Sequence, residues 1–570
     1  MTGPRLPDGP DQRASAAEQD LIARLAAAEP PGAKPLAWLV ERLMAAGRLR
    51  AVIGADGLAR SATDAPVGGT PVTGVAYDSR RVVPGSCFVA VPGSHVDGHA
   101  FVEAAVAAGA GVLVLEHARP ASDLAGAIQL VVDRSQLALA TVAAWWYADP
   151  AATLGVIGIT GTDGKTTTAA MAVAALEAAG VRTGLVSTAE QKIGSTRAGS
   201  LAHVTTPEAP ELQRALRAIQ AAGDVAAVIE STSHGLALER VGEIAFDVAM
   251  LTNLSHEHLE FHGTFEAYRA AKRSLFERLG AGGPDGTGRC DKPASLPGRR
   301  PWPRGGIVNA DAPDADAFVA ATRNAGATLL RYGVAAPADV RASDIAVGDG
   351  GLVATVTTPR SSRTLRIPLL GRFNVYNALA VVALGELLDL DAEQVLAGLA
   401  GFAGVRGRME RIDRGQPFTL IVDYAHTPAS LAAVLDDVAG LVGPGGGRIA
   451  VFGSAGERDV AKRALQGQVA GERCRLVIAT DEDPRGEEPI AILEQIAEGA
   501  EAAGLHRGDE LLLIPDRRAA ITAAIERARP GDVVLLAGKG HERSIIYAEA
   551  ELAWDERLVA EECLAEAGYG

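Results

Sequence analysis

The chain has 570 residues, 48% hydrophobic and 22% charged, and its 70 acidic against 54 basic side chains leave a net charge of −16. That length exceeds one hydrophobic core and sets an expectation of ~3–4 domains, while no apolar run reaches the ~18–20 residues of a membrane helix. The negative balance disfavours general binding to nucleic acid or to an anionic membrane, and four scattered cysteines, Cys87, Cys290, Cys474 and Cys563, argue for a reducing cytoplasm and against a disulfide framework or thiolate metal site.

Residues 1–34 are rich in proline, alanine and charge and lack the apolar core of a signal peptide, so a flexible N-terminal extension is expected there. A helical pattern at 36–43 opens a domain expected to span 35–150. Within it Asp78-Ser79-Arg80 offers a hydroxyl and a guanidinium that could clamp a diphosphate; an ordinary turn has the same composition.

The next domain, expected over 151–403, begins with LGVIGITGTDGKTTTAA at 154–170. An apolar run ends in Thr160-Gly161-Thr162-Asp163-Gly164-Lys165-Thr166-Thr167 and passes straight into an alanine-rich helical pattern. Strand, glycine turn and helix in that order offer backbone N–H groups and a helix N-terminus to a phosphate chain. Gly161 and Gly164 can take backbone angles closed to other residues. Lys165 is placed to neutralise β- and γ-phosphates, and the Thr166 hydroxyl to ligate Mg2+. The usual pattern wants glycine at 159, where this chain has Ile159, yet Gly-Lys-Thr stands where the phosphate mechanism needs it. The loop reads as an ATP site.

Buried strands at 225–229 and 246–251 each end in polar residues, at the strand end where open α/β sheets bind ligands. Glu230, at the first of these ends, suits a nucleotide-bound Mg2+. Four of the eleven histidines fall between 234 and 262 in a spacing that fits no zinc pattern, and each reads equally well as a hydrogen-bonded structural residue. Residues 280–306 are rich in Gly, Pro and Arg without periodicity, which predicts a surface insertion. From 404 to 570, strands at 419–422, 448–452, 476–479 and 532–536 alternate with helices, and each runs into a polar loop. Four loops should therefore line one edge of a second, Rossmann-like parallel sheet. The fold class is α/β.

Seven motifs occur in order: the phosphate loop, Thr205-Thr206-Pro207, the Glu-Ser-Thr-Ser-His run at 230–234, Asn253 with His258 and His262-Gly263, Ala270-Ala271-Lys272, Asp423-Tyr424-Ala425-His426-Thr427-Pro428, and Gly538-Lys539-Gly540-His541-Glu542. Together they resemble the Mur ligases, specifically the MurE-type ligases that act on UDP-N-acetylmuramoyl-dipeptide in peptidoglycan synthesis. The resemblance runs from about 36 to 555 and implies a three-domain architecture, a central P-loop ATPase-like sheet, ATP and Mg2+ as cofactors, and a cytoplasmic, monomeric enzyme acting on small molecules. It implies amide formation through an acyl phosphate: the dipeptide carboxylate attacks the γ-phosphate and an amino acid then displaces phosphate.

Carried over by position, the resemblance assigns Thr166, Glu230, His258 and Lys272 to magnesium, Lys272 as a carbamylated lysine. Ser79 and Arg80 match the UDP-muramoyl site, and Thr205, Thr206, Ser233 and Arg240 the peptide site. Asn309, Asn377, Arg408, Asp423 and His426 match positions around ATP; His426 reads as a proton acceptor or as a packing group. Arg458, Asp483, Arg485, Gly538 and Glu542 match the pocket for the incoming amino acid, where a guanidinium at 485 favours meso-diaminopimelate. Three departures bear on these assignments: Asp163 replaces the usual Asn, Glu257-His258-Leu259-Glu260 replaces Asp-His-Leu-Asp, and Glu482-Asp483-Pro484-Arg485 replaces Asp-Asn-Pro-Arg. The acid at 483 could pair with a side-chain ammonium, which keeps lysine and ornithine open. Another carboxylate–amine ligase of the superfamily, of folylpolyglutamate or cyanophycin type, is the alternative reading.

Overall fold

The computed structural model describes residues 15–570 except 61–68, 94–95, 202–203, 256, 280–291, 293–295, 299 and 349. The buried apolar runs form three sheets. The first, with six strands, carries Leu49–Ile53, Cys87–Val89, Val112–Leu115 and Ile128–Val132, and packs against helices Leu36–Ala45 and Ser135–Trp146.

The second sheet has eleven strands. Its parallel centre places Gly155–Thr160 between Ala226–Glu230 and Val248–Leu251, with Gly305–Asn309 and Thr328–Gly333 beyond. Every residue of Gly155–Thr160 is buried, as a strand covered by helices on both faces requires. Helix Lys165–Ala178 follows directly and is wrapped by Asn374–Leu387 and Ala392–Ala400. Its alanines permit that close approach: a Cβ on Gly398 would stand 2.6 Å from the Ala174 carbonyl. Hairpin Glu190–Ile193 with Thr196–Gly199 closes one edge antiparallel, and Gly351–Thr357 with Ser362–Ile367 the other.

The third sheet runs Glu410–Ile412, Thr419–Val422, Val533–Leu536, Arg448–Phe452, Leu476–Ala479, Leu511–Leu513, all parallel but the first. Beneath its carboxyl edge the fully buried Arg517 guanidinium donates to Glu556 (2.6–3.1 Å) and to the carbonyls of Asp481 (3.0 Å) and Ala537 (2.8 Å). Glu556 belongs to the last helix, Glu556–Glu566.

Two expectations are corrected. The N-terminal extension is not uniformly flexible: residues 1–14 lie outside the described residues, but Ala16–Ala27 is a helix with a Ser15/Glu18 capping box, and Leu21 and Leu25 pack into the middle domain. Nor is 280–306 wholly surface. Trp302 fills the space over Gly155, where a Cβ would come within 2.0 Å of the indole, Leu296 is buried, and Lys292 pairs at 2.5 Å with buried Asp247. An aromatic ring over a glycine and a buried ion pair each leave no periodic trace in sequence.

Candidate active site

The phosphate loop lies at the carboxyl end of Gly155–Thr160. Gly161 has φ 149° and Gly164 φ 79°. Space as well as torsion demands glycine here: a Cβ on Gly161 would lie 1.9 Å from Thr252 Oγ1, and one on Gly164 2.4 Å from Asn377 Oδ1. Asn253 holds the loop open, its Oδ1 accepting the N–H groups of Thr162 (3.0 Å) and Asp163 (2.7 Å), and Thr252 Oγ1 donates to the Asp163 carbonyl (2.6 Å). The Tyr268 hydroxyl meets Thr162 Oγ1 at 2.9 Å. Lys165 folds back onto the Thr162 carbonyl at 2.7 Å.

Thr166, one residue into the helix, donates to both Glu230 oxygens at 3.0 and 3.1 Å. A hydroxyl and a carboxylate converging at a phosphate loop form the oxygen-rich set that a hard divalent cation takes. Among the described residues no three His, Cys, Asp or Glu side chains gather into a protein cage. Mg2+ that rides on nucleotide phosphates needs only one or two carboxylates, so the residues present fit it.

Lys272 is buried, with Nζ 2.5 Å from the Gly161 carbonyl and 4.4 Å from the Tyr268 ring centroid. Burial, then the like charge of Lys165, pushes its ammonium well below the usual lysine range, against the pull of Glu257, Asp163 and Glu230. His258 adopts φ 56°, with Nε2 3.7 Å from Glu257 and its ring 4.7 Å from that of His234. Burial alone would raise the Glu257 carboxyl, yet His258, Lys165, His426 and Lys272 together hold it below the usual range. Asp163 is open to the cleft; the crowding protein and then Glu257 raise its carboxyl, while Lys165, His426 and Arg408 oppose the shift. His426 and Arg408 belong to the third sheet's domain, so residues of that domain face the phosphate loop.

Residues expected at the peptide site gather around Glu230. Thr188 Oγ1 donates to Thr205 Oγ1 (2.8 Å), and the Thr188 N–H to Glu230 (2.9 Å). Thr206 Oγ1 donates to the Glu230 carbonyl at 2.9 Å. Arg240 donates to the Thr206 carbonyl (3.0 Å) and pairs with Glu208 (2.6 Å). Ser233 Oγ is buried with no hydrogen-bond partner.

Asn377 Oδ1 accepts from Thr168 at 3.2 Å, and Asn309 donates to the Thr252 carbonyl at 2.7 Å. Asp423 accepts the N–H groups of Met409 and Ala425, and burial raises its carboxyl despite Arg408. The Arg408 guanidinium stacks 4.4 Å over Tyr424. His426 Nδ1 lies 2.9 Å from the Tyr424 carbonyl.

Among the described residues, five buried polar atoms without hydrogen-bond partners fall along the carboxyl edge of the third sheet and its following loops: Ser454 Oγ, Asp481 Oδ1, Glu482 Oε2, Arg485 Nε and His541 Nδ1. Buried polar groups left unpaired are costly, so their concentration marks a ligand pocket. Gly538 has φ 99°, and a Cβ there would stand 3.2 Å from Glu482 Oε2. Asp483 is already neutralised: buried Lys539 lies 2.9 Å away and the Ile546 N–H donates to it at 2.9 Å. Lys539 also pairs with Glu542 (2.6 Å), which accepts from Tyr424. His541 is pushed down to about 3 by burial and then by Arg408, Lys539 and other cations. Arg458 is exposed at the same edge.

Ser79 and Arg80 stand apart, on the first domain. Ser79–Arg81 is a single helical turn capped by Asp78, which also takes the Arg80 guanidinium (2.7–3.2 Å), and Arg80 is exposed to solvent. Arg81 and Tyr77 join this loop to Glu211 of the middle domain. Sequence reasoning gave no site role to Glu257 or Tyr268, and Asn253 entered it only as part of a motif. Asn253 and Glu257 lie just past a buried strand end, a signal that was present but undirected, whereas Tyr268 sits on helix Phe265–Glu277.

Three Mur ligase models match: "Mur ligase family, catalytic domain" at 71–147, "Mur ligase middle domain" at 159–385 and "Mur ligase, glutamate ligase domain" at 407–540. A UDP-N-acetylmuramyl-tripeptide synthetase of Roseiflexus sp. (strain RS-1) is 47% identical over 502 residues, covering 88% of this chain and 96% of that protein. A UDP-N-acetylmuramoyl-L-alanyl-D-glutamate–2,6-diaminopimelate ligase of Solibacter usitatus is 39% identical over 504 residues, 88% of this chain and 95% of the relative. A solved structure of a ligase of that second name superposes with a TM-score of 0.60 at 29% identity, covering 89% of this chain and 97% of that one. With the three segments in order and relatives aligned over nearly their whole length, the chain belongs to the Mur ligase family of ATP-dependent ligases.

Proposed function

We propose that this chain adds a diamino acid, meso-diaminopimelate, to UDP-N-acetylmuramoyl-L-Ala-D-Glu, forming the tripeptide precursor of peptidoglycan. The observation that carries the reading is the convergence on one phosphate loop of Thr166, Glu230 and buried Lys272, with His426 and Arg408 of another domain facing it. Lys165 and the loop N–H groups would hold the nucleotide phosphates, and Thr205, Thr206, Ser233 and Arg240 the dipeptide and its carboxylate. Mg2+, held by Thr166 and Glu230 with His258 and Lys272, would neutralise the phosphoryl group and favour in-line transfer. Lys272 matches the carbamylated lysine of the family; burial of its amine favours the neutral form that captures CO2. Arg485 supports diaminopimelate, because Lys539 occupies Asp483 and leaves the guanidinium to grip a distal carboxylate.

Phosphate release with UDP-muramoyl-Ala-Glu and diaminopimelate, lysine or ornithine offered separately tests this. Turnover selective for diaminopimelate is expected. Turnover with lysine or ornithine alone overturns the amino-acid assignment, and none with any of them overturns the substrate assignment.

A further inference from the structure

The helix Ala16–Ala27 lies ahead of all three matched family segments, yet with the residue just past it, Glu29, it reaches all three domains. Leu21 and Leu25 are buried in the middle domain's core. Asp20 accepts from Thr196 of the middle domain's edge hairpin. Just past the helix, Glu29 accepts from Tyr147 of the first domain at 2.9 Å.

The contact to the third domain is the most specific. The capping box fixes the Glu18 carboxylate: Oε2 accepts the Ser15 N–H at 2.8 Å, which leaves Oε1 aimed outward. Oε1 accepts Nη1 of Arg543. Glu18 is nearly buried, whereas Arg543 reaches it from the surface of the third domain. To do so the guanidinium crosses the edge strand at Gly199, where a Cβ would stand 2.0 Å from Nη2. Gly199 does not have positive φ, so clearance for that guanidinium, not backbone conformation, is what its missing side chain supplies. Elsewhere the same two domains meet where Leu370 is buried in the third domain's core, with Phe373 packed against it. Around the 403–411 connection a cavity of about 690 Å3 opens between the middle domain, the connection itself and the last helix.

Arg543 directly follows Glu542 in the loop assigned to the incoming amino acid, and its own carbonyl accepts the Trp554 N–H at 2.8 Å. We propose that Glu18 is a positioning residue for amide formation: through Arg543 it clasps the 538–542 loop against the middle domain and so sets where the amino acid stands. The proposal rests on the ligase reading above. Its parts are a charged group fixed by a helix cap, a guanidinium that closes on it, and a glycine gap through which the two meet.

The test uses the full-length chain, with steady-state kinetics and small-angle scattering. Arg543→Ala and Glu18→Gln are expected to raise the KM for the amino acid about three- to fivefold, the upper end of the scale of a partly exposed ion pair. The KM for the UDP-dipeptide should stay within about twofold, and the Tm should hold. Scattering should show a larger radius of gyration. The exchanged pair Glu18→Arg with Arg543→Glu should recover much of the loss. Unchanged amino-acid KM in Arg543→Ala overturns the proposal, as does an equal loss on every substrate accompanied by a lower Tm. A parent chain idle with every amino acid counts against the ligase reading instead, and the clasp is then judged by scattering, where an unchanged radius overturns it.

Discussion

At the scale of single residues, Lys272 shows how burial becomes chemistry. An ammonium sealed against Gly161 and Tyr268, near Lys165, is held in an environment that disfavours its charge. A carbamate would exchange that charge for oxygens beside Glu230. Lys272→Ala is expected to lower kcat by at least ~100-fold, with partial rescue by added short carboxylates. Activity within twofold of the parent would remove the carbamate from the mechanism. Asp481 makes a second case. Burial raises its carboxyl to about 6 despite the Tyr547 hydroxyl bond. Between its ordinary 3.8 and that value the folded chain holds a proton that the unfolded chain has lost, so stability falls as pH rises through the window. Asp481→Asn removes the ionisable group and keeps an acceptor for Tyr547. Thermal unfolding should show the variant more stable by about 1–2 kcal/mol at neutral pH, the gap closing below about pH 4. A gap that persists in acid would show that the carboxylate's charge is not its cause.

At the scale of elements, the parallel strands were readable because their burial on both faces leaves unbroken apolar runs, as in Gly155–Thr160 and Val533–Leu536. Glu230 was readable too, since a carboxylate directly after such a run can only point off the sheet's end. The roles of Glu257 and Tyr268 were not. Their roles depend on Val248–Leu251 returning beside Gly155–Thr160, a pairing of distant segments that no local pattern encodes. The N-terminal helix had a visible signal in Ser15 and Glu18, a capping box, outweighed by proline and charge in the residues before it. Trp302 was hidden for another reason: it fills a hollow made by Gly155 on a different element. Trp302→Ala should cost about 3–5 kcal/mol in urea unfolding, the scale of an emptied aromatic site. Nucleotide affinity of the folded variant should be unchanged. A cost below ~1 kcal/mol would show that the hollow collapses.

At the scale of the whole molecule, the three domains divide the chemistry. In the proposed reading the middle domain holds the phosphates, the first the UDP-muramoyl group and the third the amino acid, so reaction would require the three to meet. His426 and Arg408 already face the phosphate loop across one such boundary. No described helix is long and apolar enough to cross a membrane.

The buried pair of Arg517 and Glu556 has a consequence for biosynthesis. The strands of the third sheet are complete at residue 536, but the counter-charge for Arg517 arrives only with the last helix. A nascent chain that stops short of 556 leaves a guanidinium buried without its carboxylate, a loss on the scale of about 3–5 kcal/mol. Ribosome-bound chains ending at 550 should therefore be cut by protease within 404–550, whereas chains extended past 566 and clear of the ribosome should resist. The last helix sets the moment at which this domain can finish folding.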